Sequence, residues 1–98
     1  MQTIDYDQVA KFEAASELLN TLMGICISLK NSELKYVDML EEKRYELRKE
    51  KQALKTEDDE MVKKIRDTYG PLVRDYYDNS KVFKLTKDFF ETRVSDEN

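Results

Sequence analysis

The sequence predicts an all-α fold: a compact bundle of three to five helices built on a long N-terminal antiparallel helical hairpin. Charged residues make up 39% of the 98 residues, well above the roughly 25% of an ordinary globular domain. Only two glycines and one proline are present, too few for a fold rich in tight turns. Apolar residues recur at steps of three and four, the spacing of one helix face. We therefore take residues 1–98 as a single helical domain.

The first predicted helix begins at Asp5 to Asp7, where acids suit the helix dipole, and ends near Lys30. Between Leu18 and Leu29 its apolar residues lie almost all round the helix, which predicts burial by more than one neighbour or by another subunit. Gly24 lies within this stretch and is about 1 kcal/mol less favourable than alanine in a helix. A close helix crossing would explain this glycine, and a kink is the alternative.

A second helix is predicted from an N-cap at Ser32 to about Lys55, which completes a hairpin over residues 5–55. Its leucines are partly spaced as heptads, but Arg44 interrupts the seam, so a coiled-coil dimer through this face would be weak. Its basic residues, Lys43 among them, are interleaved with glutamates. This cancellation of charge argues against direct binding of nucleic acid.

The run from Thr56 to Glu60 provides a cap and four acids for a third helix over residues 57–69. We expect a break near Thr56, although one continuous helix is the alternative. Gly70 and Pro71 are expected to end or sharply kink the third helix, because a residue before proline is pushed away from helical angles. A Pro-broken helical segment over 71–93 and a frayed tail over 95–98 complete the domain. Within this segment the helical spacing continues to Asn79, and Ser80 is the candidate cap of its last part. A strand is the alternative for its last part.

The composition predicts no enzyme, no cofactor and no metal site. Histidine is absent, which removes the commonest general base and the commonest metal ligand. The single cysteine, Cys26, excludes an internal disulfide and a four-thiolate zinc site. Its neighbours Ile25 and Ile27 predict a buried core thiol. Carboxylate chemistry would need buried, paired acids in a cleft with raised pKa values.

The segment from Asp67 to Asp78 is the predicted protein-binding site, because tyrosines and acids are concentrated there. Tyrosine supplies a large amphipathic contact area at low entropic cost, and neighbouring acids favour a basic partner. Adjacent helical residues cannot both face the core, so Tyr76 or Tyr77 should be exposed. In the alternative interpretation Tyr69 and one of this pair belong to the core. The candidate binding residues are Tyr69, Asp75, Tyr76, Tyr77 and Asp78.

The leading functional hypothesis is a non-enzymatic protein-binding module that occupies a partner protein's surface, as an inhibitor, immunity or antitoxin-like regulator does. The alternative is a structural or assembly component, a homo-oligomer or chaperone-like adaptor. Its homodimer interface would be formed by Leu18, Leu22, Ile25 and Leu29. The two hypotheses differ in whether this apolar strip is buried within one chain or faces outward.

The predicted location is the cytoplasm, with no membrane association. The N-terminus lacks the basic start and the long apolar stretch of a signal peptide. The most apolar stretch, Leu18 to Leu29, is shorter than the roughly 20 residues that a membrane-spanning helix needs.

Overall fold

The protein is described by a computed structural model that covers residues 5–79 and 83–94. Within these ranges the chain is helical and has no strand, so the predicted all-α class is confirmed. A short 3₁₀ helix precedes the second α-helix. The α-helices are α1 (Tyr6–Lys30), α2 (Val37–Ala53), α3 (Asp59–Asp78) and α4 (Lys87–Glu91), and the 3₁₀ helix is Leu34–Tyr36.

Helix α1 begins where its sequence predicts. The Asp5 carboxylate accepts a hydrogen bond from the Gln8 backbone N–H at 3.1 Å, the bond typical of an N-cap. The predicted cap at Ser32 is wrong, because its hydroxyl donates to the Leu29 carbonyl at 3.4 Å. Ser32 therefore helps to end α1, and the 3₁₀ helix separates it from the start of α2.

The break predicted near Thr56 is confirmed, since α2 ends at Ala53 and α3 begins at Asp59. The N-cap of α3 is Asp58, whose carboxylate accepts from the Met61 backbone N–H at 3.1 Å. An acid of the predicted first turn therefore serves as the cap, because its carboxylate satisfies an otherwise unpaired N–H and suits the positive end of the helix.

Of the two outcomes predicted at Gly70 and Pro71, an end of the third helix is wrong, because α3 continues through Pro71 to Asp78. Pro71 is exposed, as is Asp67, whose carbonyl loses its helical partner and can bond to water. Gly70 has no Cβ, which relieves the clash that a proline ring makes with the preceding residue. The first part of the segment predicted over 71–93 therefore belongs to α3, which ends at Asp78. Its last part contains the short helix α4, Lys87–Glu91. Ser80 and the tail 95–98 lie outside the described residues.

Helix α1 is the central element and packs against both α2 and α3. Lys30, at its end, pairs with Glu41 near the start of α2 at 2.5 Å, as an antiparallel hairpin requires. At the opposite end, Gln8 Nε2 donates to Asp59 Oδ1 at 3.1 Å, which brings the starts of α1 and α3 together. Helix α3 is therefore parallel to α1, and the molecule measures 54 × 31 × 20 Å.

The hydrophobic core lies between the three long helices, and α1 contributes most to it. This explains why α1 is apolar almost all round: it has neighbours on two sides. The close crossing predicted at Gly24 is wrong, because this residue is exposed and a Cβ there would meet nothing within 4 Å. The core consists of Ala15, Leu19, Leu22, Ile25, Cys26, Leu29, Leu40, Leu47, Leu54, Val62, Ile65, Tyr69, Phe89, Phe90 and Val94.

By length and composition alone, α1 could also cross a membrane, since an 18-residue window within Tyr6–Lys30 has a mean hydropathy of 1.2. The prediction against a spanning helix rested on the shorter stretch from Leu18 to Leu29. A core helix of a soluble protein passes the same test. The cytoplasmic location therefore stays a prediction.

Candidate protein-binding surface

The structure divides the predicted binding residues between the core and the surface. Tyr69 is completely buried, because it shares the inward face of α3 with Val62 and Ile65. It cannot contribute contact area to a partner while the bundle is folded. Tyr77 is 62% exposed, Tyr76 is half-buried, and both acids are exposed. We call the remaining group, Asp75, Tyr76, Tyr77 and Asp78, the acid–tyrosine surface.

Tyr77 is held from within the molecule by a row of aromatic rings. Its ring lies edge-on to Tyr76, with centroids 5.3 Å apart and an interplanar angle of 81°. Tyr76 in turn meets Phe83 at 5.2 Å and 78°. Phe83 contacts the buried Phe89 at 6.2 Å. Such edge-to-face pairs are each worth about 0.5–1.5 kcal/mol beyond the area they bury, so the exposed ring is anchored to the core.

The two acids of this surface lie at the electrically unfavourable end of α3. Asp78 is its last residue, Asp75 is one turn earlier, and no basic residue occupies the last turn. The C-terminus of a helix carries a partial negative charge, so acids there oppose the dipole instead of complementing it. The Asn79 side-chain amide donates to Asp75 Oδ1 at 2.8 Å, which offsets part of the unfavourable interaction between this acid and the helix dipole. Two acids therefore lie beside an exposed tyrosine at the negative end of this helix.

A second group of polar residues is buried, and sequence reasoning did not find it. Lys43, treated above as one of the exposed bases of helix two, is only 2% exposed. Its Nζ donates to the Thr92 carbonyl and lies 5.8 Å from the ring centroid of Tyr69. Tyr69 Oη donates to Glu50 Oε1 at 2.6 Å. Spacing could have indicated this burial, because Lys43 shares a helix face with the buried Leu40 and Leu47.

The physical role of this cluster is to fasten the C-terminal segment to α2. Burial lowers the pKa of Lys43, and burial together with the hydrogen bond to Glu50 raises the pKa of Tyr69. The bond from Lys43 to Thr92 is reinforced by an ion pair between Arg93 and Glu46 at 3.5 Å. Lys43 thus satisfies its own buried ammonium group by donating to a backbone carbonyl of the C-terminal segment.

The remaining residues with altered pKa values are explained by packing and ion pairing. Cys26 is buried, as predicted, and burial raises the pKa of its thiol to about 11. A neutral, enclosed thiol is a poor nucleophile. Hydrogen bonds from Arg44 and Lys30 lower the pKa of Glu41 to about 2, so this surface carboxylate remains charged instead of donating a proton.

The residues predicted to form a homodimer interface do not form an outward strip. Leu22, Ile25 and Leu29 are buried against the rest of the chain, and Leu18 is half-buried. The three buried residues are unavailable to a second subunit unless the bundle opens. The physical reason is that α1 already has two helical neighbours within its own chain.

An open groove of about 1020 Å³ runs between α1 and α3. Its lining includes small or apolar residues of both helices and charged residues of both signs. The contributors from α1 and the residue before it are Asp5, Asp7, Gln8, Lys11, Ala14, Glu17, Leu18 and Thr21. Those from α3 are Asp59, Val62, Lys63, Arg66, Asp67, Gly70, Val73 and Arg74.

Within residues 5–79 and 83–94, no group of three or more cysteine, aspartate and glutamate side chains is placed to hold a metal ion. Comparison of the chain with protein-family models, with curated protein sequences and with solved structures gave no match.

Proposed function

We propose that this protein is a non-enzymatic binding module that acts in the cytoplasm by occupying the surface of a basic partner protein, as an inhibitor, immunity protein or antitoxin-like regulator does. The observation that carries the proposal is the acid–tyrosine surface, in which exposed Tyr77 stands beside two acids at the negative end of α3.

Tyr77 has the properties of an interface anchor. The residue is 62% exposed, yet its ring packs edge-on against Tyr76, which continues the aromatic row to the core. A side chain that is already ordered loses little conformational entropy when a partner covers it. Tyrosines that bury large areas in this way are enriched among the residues that dominate binding energy.

The charges support a basic partner. Asp75 and Asp78 reduce the stability of α3, because they add to the negative partial charge of its C-terminus. A stability cost at exposed residues is typical of a position used for binding. A lysine or arginine of the partner would relieve this repulsion, and the net charge of −4 favours its approach.

Burial of the apolar face of α1 supports this hypothesis over the assembly alternative. The alternative required an outward strip that includes Leu22, Ile25 and Leu29, and these side chains pack inside the chain. A homo-oligomer built on that strip would compete with the intramolecular core.

The test is capture of partner proteins from host lysate by immobilised wild-type protein and by two matched variants. Tyr77→Ala removes the proposed anchor, whereas Tyr45→Ala removes an equally exposed tyrosine, also 62%, on α2. We expect one basic protein to be retained stoichiometrically by wild type and by Tyr45→Ala, and its affinity to fall at least tenfold with Tyr77→Ala.

A photo-crosslinking residue at position 77 or 45 locates the contact directly. Crosslinking of the captured protein from position 77 and not from position 45 is the expected result. Equal capture by both tyrosine variants, or a captured protein that crosslinks from neither position, would overturn the proposal. Circular dichroism of each variant shows whether the bundle remains folded.

A further inference from the structure

We propose that the groove between α1 and α3 is the interface of a symmetric dimer, in which α3 packs antiparallel against α3 of a second copy. This inference rests on the groove alone and does not depend on the acid–tyrosine surface, since Tyr77 is not among the residues that line the groove.

The groove has the construction of a helix-packing surface. Its lining contains Ala14, Leu18, Val62, Gly70 and Val73, which are small or apolar residues. A Cβ added at Gly70 would meet nothing within 4 Å, so a neighbouring side chain can approach the backbone of α3 there. Charged residues lie on both sides of this strip, as they do beside the seam of a two-helix contact.

The charges along α3 are self-complementary when the helix is reversed. Asp59 and Arg74 lie equally far from the point between Arg66 and Asp67, roughly 11 Å on either side at 1.5 Å per residue. A twofold axis through that point therefore places Asp59 opposite Arg74 of the second copy. The same axis brings the adjacent Arg66 and Asp67 of both copies together at its centre. All four residues line the groove.

The same twofold axis places Lys63 of the second copy opposite Gly70, where the groove is open. Gly70 and Lys63 are also equidistant from the axis, so the space over Gly70 would receive Lys63 of the second copy. Lys63 pairs with Asp67 in its own chain at 2.8 Å, and Asp67 would then meet Arg66 of the second copy. Charges on both chains would thus form one network across the axis.

Arg66 and Arg74 lack side-chain partners within the described part of their own chain, as this arrangement requires. Within the described part of the chain, the side chains of Arg66 and Arg74 make no ion pair and no hydrogen bond, and both residues are exposed. Asp59 accepts one hydrogen bond, from Gln8, through Oδ1. Its other oxygen can accept a guanidinium. A second copy supplies partners of the required sign at the required positions, which an unrelated helix would match only by coincidence.

The experiment uses two charge-reversal variants, Asp59→Lys and Arg74→Glu, analysed separately and as a mixture by light scattering and sedimentation equilibrium. Each variant alone places like charges opposite each other twice in a symmetric dimer. We expect the dimer dissociation constant of each to rise about tenfold or more over wild type. Mixing them restores opposite charges at both contacts, so a heterodimer should form more tightly than either homodimer.

Arg48→Glu is the matched control, because Arg48 is exposed on α2 and lies outside the groove. Its dimerisation should equal that of wild type. Circular dichroism verifies folding, and Arg66→Glu is the second variant if either reversal unfolds. A wild-type protein that remains a monomer of 11.7 kDa at all concentrations would overturn the proposal. So would a dimer that ignores the reversals, or a mixture with no preference for the heterodimer.

The outcome is separable from that of the proposed function. Loss of partner capture with Tyr77→Ala is read on the captured protein, whereas the groove is tested by the mass of the protein itself. Either proposal can therefore fail while the other holds.

Discussion

Replacing Gly24 by alanine should stabilise the protein by about 1 kcal/mol. The added Cβ meets no atom within 4 Å, and the residue is exposed, so neither a steric clash nor newly buried area enters the balance. What remains is the intrinsic preference of alanine over glycine inside a helix, about 0.8–1.0 kcal/mol. For a domain of this size that corresponds to a rise of about 5 °C in the midpoint of thermal unfolding.

The assay is urea and thermal unfolding of wild type, Gly24→Ala and Gly70→Ala, followed by circular dichroism. Gly70→Ala is the informative comparison, because its Cβ also meets open space but the residue precedes Pro71. There the gain in helix propensity is offset by the clash between a Cβ and the proline ring. We expect a clear gain for Gly24→Ala and a smaller gain, or a loss, for Gly70→Ala.

A loss of stability in Gly24→Ala would refute this reasoning. It would mean that position 24 needs a glycine, either for a deformation of α1 or for the close approach of another chain. Measurement at two protein concentrations separates these causes, because only an intermolecular contact makes the loss depend on concentration.

Three further perturbations test the core and the acid–tyrosine surface. Lys43→Met and Lys43→Ala both remove the donor to the Thr92 carbonyl, but Met keeps the buried stem, so Lys43→Met should cost less stability in urea unfolding than Lys43→Ala. Lys43→Ala also leaves a cavity and should cost about 2–4 kcal/mol, and equal losses would contradict the packing role of the stem. Asp78→Asn should raise the thermal midpoint by up to a few degrees while weakening partner capture, and a lower midpoint would contradict the dipole argument. Burial raises the pKa of Cys26 from 9.0 to about 11, so the folded state holds its thiol proton more tightly than the unfolded state. The contribution of this protonated thiol to stability is therefore complete below pH 9 and is lost as the pH rises through about 11. In urea titrations at several pH values, the difference in free energy of unfolding between wild type and Cys26→Ala should shrink over that range. A difference that stays constant would contradict the argument.

Local signals in the sequence predicted several elements correctly. The acid at the start of α1 and the helical spacing that follows it act within one turn, so their effect does not depend on distant residues. The break near Thr56 was predicted for the same reason, although Asp58 is the cap. The burial of Cys26 followed from its apolar neighbours. Exposure of one residue of the Tyr76 and Tyr77 pair followed from helix geometry alone.

The errors came from judging single residues without their surroundings. Pro71 was expected to end or sharply kink a helix, but its position on the exposed side of α3 and the missing Cβ of Gly70 reduce the cost of continuing the helix. Lys43 was counted as a surface charge, yet the C-terminal segment covers it and supplies the Thr92 carbonyl as its acceptor. Tyr69 was placed on the binding surface, although its ring is buried and its hydroxyl donates a hydrogen bond to Glu50 of α2.

Periodicity, composition and capping residues were enough to predict an all-α chain with a long first helix and a break between the second and third, because these features depend on contacts within a few residues. Only the tertiary structure decided which polar side chains are buried, which tyrosine is exposed, and that α1 and α3 leave a charged groove between them. These properties depend on residues far apart in the sequence, such as Lys43 with Thr92 and Gln8 with Asp59, and such pairings leave no periodic signal in the chain.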